Sequence, residues 1–363
     1  MTRGLTGARG LTGGGRTPTI REVAEAAGVS RATVSRAFTR PDLLRPETVE
    51  RVREVAARLG YTPNVVARAL STGRYATIAL VVPDIANPFF PPLMRGAQQA
   101  ADAAGYSVVL GDSDESPARE DVLLTKFAHQ VEGVVLASTR MPSARVREHA
   151  TRRPLVLVNR DIPGVPRVLI DSASGMAQAV EHLADLGHRR LAYVSGPASS
   201  WSNQQRRRAV RRVAAARGLE VATVQASRPT YAAGIECTSA LLAARVTAVV
   251  AFDDAVAQGI LAGLSAAGVA VPDDVSVVGC DDVVADTTTP PLTAVSAPTR
   301  MAGQLAVEVL LRILGDDDVA DTRHVLDSEL IVRATTGPAP RTRRRRGTTA
   351  DRYTDGRRRS LGS

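Results

Sequence analysis

The chain has 363 residues, of which 44% are hydrophobic and 23% are charged, and its formal net charge is +9. These values exclude an intrinsically disordered chain and predict two or three folded domains. Two cysteines are too few for a disulfide framework, and no apolar run is long enough to span a membrane, which favours a protein of the reducing cytoplasm.

The positive charge is concentrated at the two ends of the chain. Residues 1–75 contain 13 arginines and six acidic residues, and residues 338–363 contain nine arginines and two acidic residues. The N-terminal region is basic, whereas residues 76–337 are slightly acidic. This asymmetry indicates that the N-terminal region has a polyanion as its partner. Residues 1–18 are rich in Gly, Thr and Arg and predict a disordered lead, whereas 338–363 predict a disordered Arg-rich tail.

The head, residues 19–63, carries the signals of a helix-turn-helix. Thr19 and Glu22 form a capping box that predicts the start of a first helix, and Gly28 predicts its end. Ser30 is the predicted N-cap of a second helix, from Arg31 to about residue 38. Two short helices joined by a three-residue turn with glycine are typical of a helix-turn-helix, although a helical hairpin without DNA would show the same caps.

The second helix of such a motif enters the major groove with its first residues at the base edges. Val34 and Ala37 fall on the inner face, so Arg31, Ser35 and Arg36 face outward. Arginine suits a bidentate contact with guanine, and hydroxyl groups suit phosphates. The predicted DNA-contacting residues of the head are Thr19, Ser30, Arg31, Ala32, Thr33, Ser35 and Arg36.

A third helix is predicted from Pro46 to the residue before Gly60. Residues 64–74 then form a linker with a short helical pattern of apolar residues. This segment is too short for a stable isolated helix. It fits a plain tether, and it equally fits a segment that folds only against a partner.

From residue 77 the chain alternates short β-branched apolar runs with amphipathic stretches. This rhythm predicts α/β structure with buried parallel sheets flanked by helices, and the strands suffice for two sheets. The runs lie at 78–83, 106–112, 131–138, 154–160, 167–171, 189–196, 247–254 and 275–282.

Polar residues follow several of these runs. Because ligands of parallel α/β sheets bind at the carboxyl ends of strands, these residues together predict a small-molecule cleft, although each alone fits a helix cap or a turn. Phe89 and Phe90 fit a wall of that cleft, and they equally fit core packing. The polar residues are Asp84, Asn87, Asn159, Arg160, Asp171, Asp253, Asp254, Asp281 and Asp282.

Three stretches, TIREVAEAAGVSRATVSRAF, RLGYTPNVVARALSTGR and IALVVPDIANPFF, resemble the lactose/galactose-repressor (LacI/GalR) family of bacterial transcription regulators. The similarity runs from about residue 19 to residue 337. The resemblance implies a homodimer on a near-palindromic double-stranded operator, with base contacts at Arg31, Ala32 and Arg36. It also implies a hinge helix at 64–71, with Asn64 and Ala67 at the DNA and Leu70 as a minor-groove wedge.

The resemblance further implies a two-lobed effector domain at 75–337, similar to periplasmic binding proteins. Its N-lobe would comprise about 76–170 and 298–325, and its C-lobe about 171–297 and 326–336. The implied effector contacts are Asn87, Phe89, Phe90, Asn159 or Arg160, Arg206, Asp253 and Asp281.

Three positions depart from the family pattern. Asp253 stands where Asn is usual, Asn159 where an acid is common, and Ala297 where Gln is common. The aspartate favours hydroxyl-rich or cationic ligands over anions, whereas Arg206 acts in the opposite direction.

The predicted function is therefore a cytoplasmic, nucleoid-associated transcriptional regulator, a repressor controlled by a sugar or related metabolite, with no cofactor, metal or membrane partner. The alternative is a solute-binding protein or a sugar-handling enzyme with an accessory DNA-binding head. The first strand lacks the glycines of a dinucleotide-binding loop, and no P-loop, GxSxG or HExxH motif occurs. The DNA-reading head argues against a secreted solute-binding protein.

Overall fold

A computed structural model describes residues 18–62, 75–317 and 319–340. The chain divides into two compact units, with the boundary between Ala76 and Thr77. Residues 1–17 of the predicted lead and the predicted hinge, including Asn64, Ala67 and Leu70, lie outside the described residues, as does the tail from 341. The predictions for these segments therefore remain predictions.

The first unit consists of three α-helices, α1 (Ile20–Ala27), α2 (Arg31–Thr39) and α3 (Pro46–Leu59), with a 3₁₀ turn at Pro41–Leu43. Its small core contains one fully buried valine from each helix, Val23, Val34 and Val52. The helices begin and end where the capping residues predict. Gly28 and Gly60 terminate α1 and α3 with φ of 65° and 69°, in the left-handed region that glycine adopts most easily.

The second unit contains two six-stranded sheets with helices on their faces. In chain order its elements are β1 (Thr77–Val82), α4 (Phe90–Ala103), β2 (Ser107–Asp112), α5 (Pro117–Phe127), β3 (Gly133–Ala137), α6 (Ser143–Arg152), β4 (Leu155–Val158), β5 (Arg167–Ile170), α7 (Ser172–Asp185), β6 (Arg190–Ser195), α8 (Trp201–Ala216), β7 (Glu220–Gln225), α9 (Tyr231–Ala243), β8 (Ala248–Ala251), α10 (Asp254–Ala266), β9 (Ser276–Asp281), a 3₁₀ turn (Ala285–Thr287), β10 (Thr293–Ser296), α11 (Thr299–Leu314), β11 (Arg323–Leu326) and β12 (Leu330–Ile331).

The first sheet has the order β11-β5-β4-β3-β1-β2, and the second β12-β10-β9-β8-β6-β7. All neighbouring strands are parallel except β12, which runs antiparallel to β10. The inner strands are buried on both faces, as the continuous apolar runs indicate. The predicted fold class, a helical head followed by a two-lobed α/β domain, is confirmed.

The chain crosses between the two sheets three times. Helix α11 follows β10 of the second sheet but packs against α4 of the first. The two helices approach so closely that a Cβ at Gly303 would lie 2.0 Å from the Leu93 carbonyl oxygen. Strand β11 then completes the first sheet and β12 the second. Each lobe is therefore assembled from segments far apart in the chain.

The structure differs from the sequence prediction in two respects. Strands β7, β10, β11 and β12 were not among the apolar runs, because they are short or alternate half-buried with exposed residues at sheet edges. The predicted disorder from residue 338 begins too early, since the Ala339 amide donates to the Leu186 carbonyl at 2.9 Å.

Candidate DNA-contacting helix and ligand cleft

Helix α2 is held at its start by reciprocal side-chain bonds. The Ser30 hydroxyl accepts from the Thr33 amide at 3.0 Å, and the two hydroxyls lie 2.9 Å apart. On α1, the Thr19 amide donates to Glu22 at 2.6 Å and completes the capping box. These bonds satisfy amides that helix starts leave without partners.

Packing decides which side chains of α2 are available to a partner. Val34 and Ala37 are buried, whereas Arg31, Ala32 and Arg36 are exposed. Neither arginine forms an ion pair with another described residue. Their guanidinium groups therefore carry uncompensated positive charge on the exposed surface of a short helix, which suits contact with DNA.

The second unit contains a cavity at the carboxyl ends of its strands. It comprises about 370 Å³ including space open to solvent, and seven of the eight predicted effector residues line it. The lining residues are Asn87, Phe89, Phe90, Glu115, Ser138, Arg140, Asn159, Ser200, Ser202, Arg206, Pro229, Phe252, Asp253 and Asp281.

The C-lobe wall is built around a buried ion pair. The Arg206 Nη2 lies 2.9 Å from Asp281 Oδ1, and the two side chains are 3% and 5% exposed. The same guanidinium donates to the Ser172 hydroxyl at 2.9 Å and the Phe252 carbonyl at 2.5 Å. It also lies 5.1 Å from the centroid of the Phe252 ring. Asp281 has φ of 101°, so a strained backbone places this carboxylate.

Asn87 joins the two lobes across the cleft. Its amide nitrogen, after β1 of the first sheet, donates to Asp253 Oδ2 at 2.9 Å and to the Pro229 carbonyl at 3.2 Å. Its amide oxygen accepts from the Phe89 amide at 3.0 Å. A second bridge, between Arg228 and Asp114 at 2.6 Å, connects the lobes at an exposed position.

Asp253 is the N-cap of α10, and its Oδ1 accepts from the Val256 amide at 2.9 Å. Burial, and then the charge of Asp281, raise the pKa of Asp253 to about 6. The folded protein therefore binds this proton more tightly than the unfolded chain does. The Asp253 contribution to stability falls as pH rises from about 4 to about 6 and stays low above that window.

We expect Asp253→Asn to remove this pH dependence. The asparagine still caps α10, but it cannot be ionised. The free energy of unfolding of the variant relative to the native protein should therefore rise by about 2–3 kcal/mol between pH 4 and pH 7, since one pKa unit corresponds to about 1.4 kcal/mol. Urea unfolding at a series of pH values measures the difference, and parallel curves for the two proteins would contradict the prediction.

The structure separates Asn159 from Arg160. Asn159 has φ of 52°, lines the cavity and accepts from the Ile170 amide at 3.0 Å. Arg160 does not line the cavity, and its Nη2 lies 3.3 Å from the Ser143 hydroxyl and 3.4 Å from the Met141 carbonyl. Of these two alternatives, the geometry favours Asn159 as a ligand contact.

The two aspartates of each adjacent pair, 253–254 and 281–282, make different contacts. Asp253 faces the cavity, whereas Asp254 Oδ2 accepts from the Val283 amide at 2.8 Å and holds the loop after β9. Asp281 binds Arg206, whereas Asp282 binds Arg333 at 2.6 Å. In each pair, the first aspartate lines the cleft and the second stabilises the surrounding structure. Within the part of the chain that the structure describes, no cluster of three acidic, His or Cys side chains could hold a metal ion.

Sequence reasoning missed half of the cavity wall. Arg140 and Glu115 follow β3 and β2 at the same carboxyl edge as the predicted residues, so the strand-end rule contained the signal. Ser138 precedes Arg140, and Phe252 follows β8. The other missed residues belong to the C-lobe: Ser200 caps α8, Ser202 lies in its first turn, and Pro229 lies in the loop before α9.

Both units match known protein families. Residues 19–64 match the profile of bacterial regulatory proteins of the lacI family, and residues 180–336 match the periplasmic binding protein-like domain. The HTH-type transcriptional repressor CytR of Escherichia coli is 32% identical over 338 residues, which cover 89% of this chain and 97% of CytR. The HTH-type transcriptional regulator CelR of Thermobifida fusca is 34% identical over 335 residues, covering 88% and 98%.

Solved structures of similar proteins have the same fold as this chain. The lac repressor dimer bound to operator and the anti-inducer ONPF superposes with a TM-score of 0.80 at 25% identity, covering 89% of this chain and 100% of that one. A CelR–cellobiose complex superposes with a TM-score of 0.65 at 33% identity, covering 88% and 99%. No helix in 18–62, 75–317 or 319–340 has the length and apolar character needed to cross a membrane. The chain belongs to the lacI family of bacterial regulatory proteins and is a DNA-binding transcriptional regulator.

Proposed function

We propose that the protein is a repressor whose affinity for operator DNA is controlled by a small neutral molecule, a sugar or related metabolite, bound in the cleft between its lobes. The observation that carries this proposal is the coexistence, in one chain, of a capped helix with two unpaired exposed arginines and a cavity lined mainly by polar residues. A DNA-binding protein with no ligand would not need such a cavity.

In the DNA-binding step, Arg31 and Arg36 read bases in the major groove, and Ala32 contributes an apolar contact. Thr19, Ser30, Thr33 and Ser35 supply hydroxyls for phosphates. The hinge residues Asn64, Ala67 and Leu70 act in the minor groove. The protein binds a near-palindromic operator as a homodimer, in the bacterial cytoplasm and at the nucleoid.

In the ligand-binding step, the aromatic walls supplied by Phe89, Phe90 and Phe252 stack on the faces of a sugar ring, while charged and amide groups bind its hydroxyls. Asn87 and Asp253 come from opposite lobes and already meet in this structure. A ligand that replaces or extends this contact favours one lobe arrangement over another. Differential affinity for the two arrangements is what couples ligand to operator binding.

A thermal-shift screen of the full-length protein against neutral sugars and nucleosides tests the proposal. A ligand at 100 times its dissociation constant adds about 2.7 kcal/mol of stability, which gives a measurable rise in melting temperature. The hit should also change the affinity of the protein for an operator selected from a random DNA pool. If a hit stabilises the protein without changing operator affinity, ligand control of repression is wrong.

A further inference from the structure

The N-lobe wall of the cavity contains a second ion pair, between Arg140 and Glu115. The Arg140 Nε lies 2.5 Å from Glu115 Oε2, and its Nη2 lies 2.9 Å from Oε1, in a bidentate arrangement. The two side chains are 4% and 14% exposed. Glu115 has φ of 59°, and its amide donates to the Pro83 carbonyl at 2.7 Å, so the loop backbone holds this carboxylate in place.

A buried carboxylate shapes the loop that carries Arg140. Glu120 is fully buried, and its Oε2 accepts from the Thr139 hydroxyl at 2.6 Å and from the Arg140 and Met141 amides at 3.1 Å each. Burial raises the pKa of Glu120. Burying a carboxylate is costly, and here it organises three donors of one short loop. The guanidinium of Arg140 is therefore oriented before any ligand arrives.

Arg140 retains donors that nothing in the described residues engages. A guanidinium has five N–H bonds. One points from Nε and one from Nη2 to Glu115, and one from Nη1 to the Ser138 carbonyl at 2.6 Å. One N–H on each of Nη1 and Nη2 remains, on a side chain that lines the cavity.

Every cation in the cavity wall is paired with an acid. Glu115 neutralises Arg140, Asp281 neutralises Arg206, and Asp253 is a further acid with no cation of its own in the wall. An anionic ligand would meet no unpaired cation and would face a carboxylate. A neutral ligand with several oxygens would meet N–H donors whose charge is already compensated.

We propose that Arg140 is an effector-contacting residue that donates from Nη1 and Nη2 to oxygens of a neutral, hydroxyl-rich ligand, with Glu115 as its positioning residue. The pair makes the cavity select neutral sugars over their phosphate esters. This inference rests on the proposed function, in which the cavity is the effector site.

Calorimetric titration of the full-length protein tests the assignment. The probes are D-ribose, D-glucose, cellobiose and adenosine, each neutral, with ribose 5-phosphate, glucose 6-phosphate and AMP as charged counterparts. We expect a neutral probe to bind the native protein at least about tenfold more tightly than its phosphate ester. Arg140→Met keeps the aliphatic stem but loses the donors, and should weaken neutral binding about 10- to 100-fold.

Two further variants isolate the role of the pair. Glu115→Gln removes the neutralising charge and should reduce the preference for the neutral probe over its ester, because Arg140 then attracts the phosphate. Arg145→Met is the matched control: Arg145 pairs with Asp121 at 2.6 Å on the same lobe and does not line the cavity. It should leave both affinities unchanged.

The outcomes are separable. If the native protein binds a neutral probe and Arg140→Met binds it equally well, the Arg140 assignment is wrong while the proposed function stands. If the phosphate ester binds as tightly as the neutral probe, the selectivity is wrong. If no neutral probe binds, the effector class of the proposed function is wrong and this inference is wrong with it. Melting curves of the free variants show that each one is folded.

Discussion

Asp281→Ala should lower the free energy of unfolding of the second unit by about 3–5 kcal/mol and remove the response of the protein to ligand. Asp281 is the only carboxylate in the described residues that forms an ion pair with Arg206, and both groups are buried. Removing it leaves a guanidinium that is 3% exposed without a counter-charge, which is the costly way to break a buried pair. Urea unfolding measures the first effect, and ligand titration measures the second.

Two further variants test whether the loss in the free energy of unfolding arises from burial of the ion pair. Asp185→Ala removes one of the two carboxylates that pair with Arg217, the other being Glu181, in an ion pair whose side chains are 68% and 39% exposed, and it should cost no more than about 1 kcal/mol. Arg206→Met combined with Asp281→Leu should recover part of the stability, because apolar replacements remove both buried charges. Ligand binding should stay absent in this double variant. Equal losses for Asp281→Ala and Asp185→Ala would contradict the structural account.

Arg31→Ala should weaken binding to the selected operator by about 1–3 kcal/mol while affecting random-sequence DNA much less. Arg31 is the first residue of α2, it is exposed, and it has no ion-pair partner among the described residues. A bidentate contact with guanine supplies discrimination of that size. Electrophoretic mobility shift at constant salt measures both affinities.

Arg58→Ala provides the matched control for charge. Arg58 is exposed in the last turn of α3, so its loss removes the same charge from the same unit. We expect a small and equal decrease on operator and random DNA, since phosphate attraction does not depend on sequence. If Arg31→Ala weakens both DNAs equally, Arg31 contacts phosphate and does not read bases.

The sequence by itself determined the helices of the first unit and the inner strands of the second. The capping box at Thr19, the N-cap at Ser30 and the stop at Gly28 each act within four residues, so no distant contact was needed to place α1 and α2. The apolar runs likewise predicted the inner strands, because a strand buried on both faces must be apolar throughout. The rule that parallel strands present their carboxyl ends on one edge also identified Asn87, Asn159, Asp253 and Asp281, four of the fourteen residues that line the cleft.

Only the tertiary structure decided which of these residues meet. Asn87 and Asp253 are 166 positions apart and touch because the lobes close on each other. Arg140 meets Glu115 because β1 lies between β2 and β3, an order that no local pattern encodes. Asn159 lines the cavity while the adjacent Arg160 does not, because neighbouring residues at a strand end point in different directions. Local rules depend on a few consecutive residues, whereas ion pairs depend on sheet order and packing, which the whole chain determines.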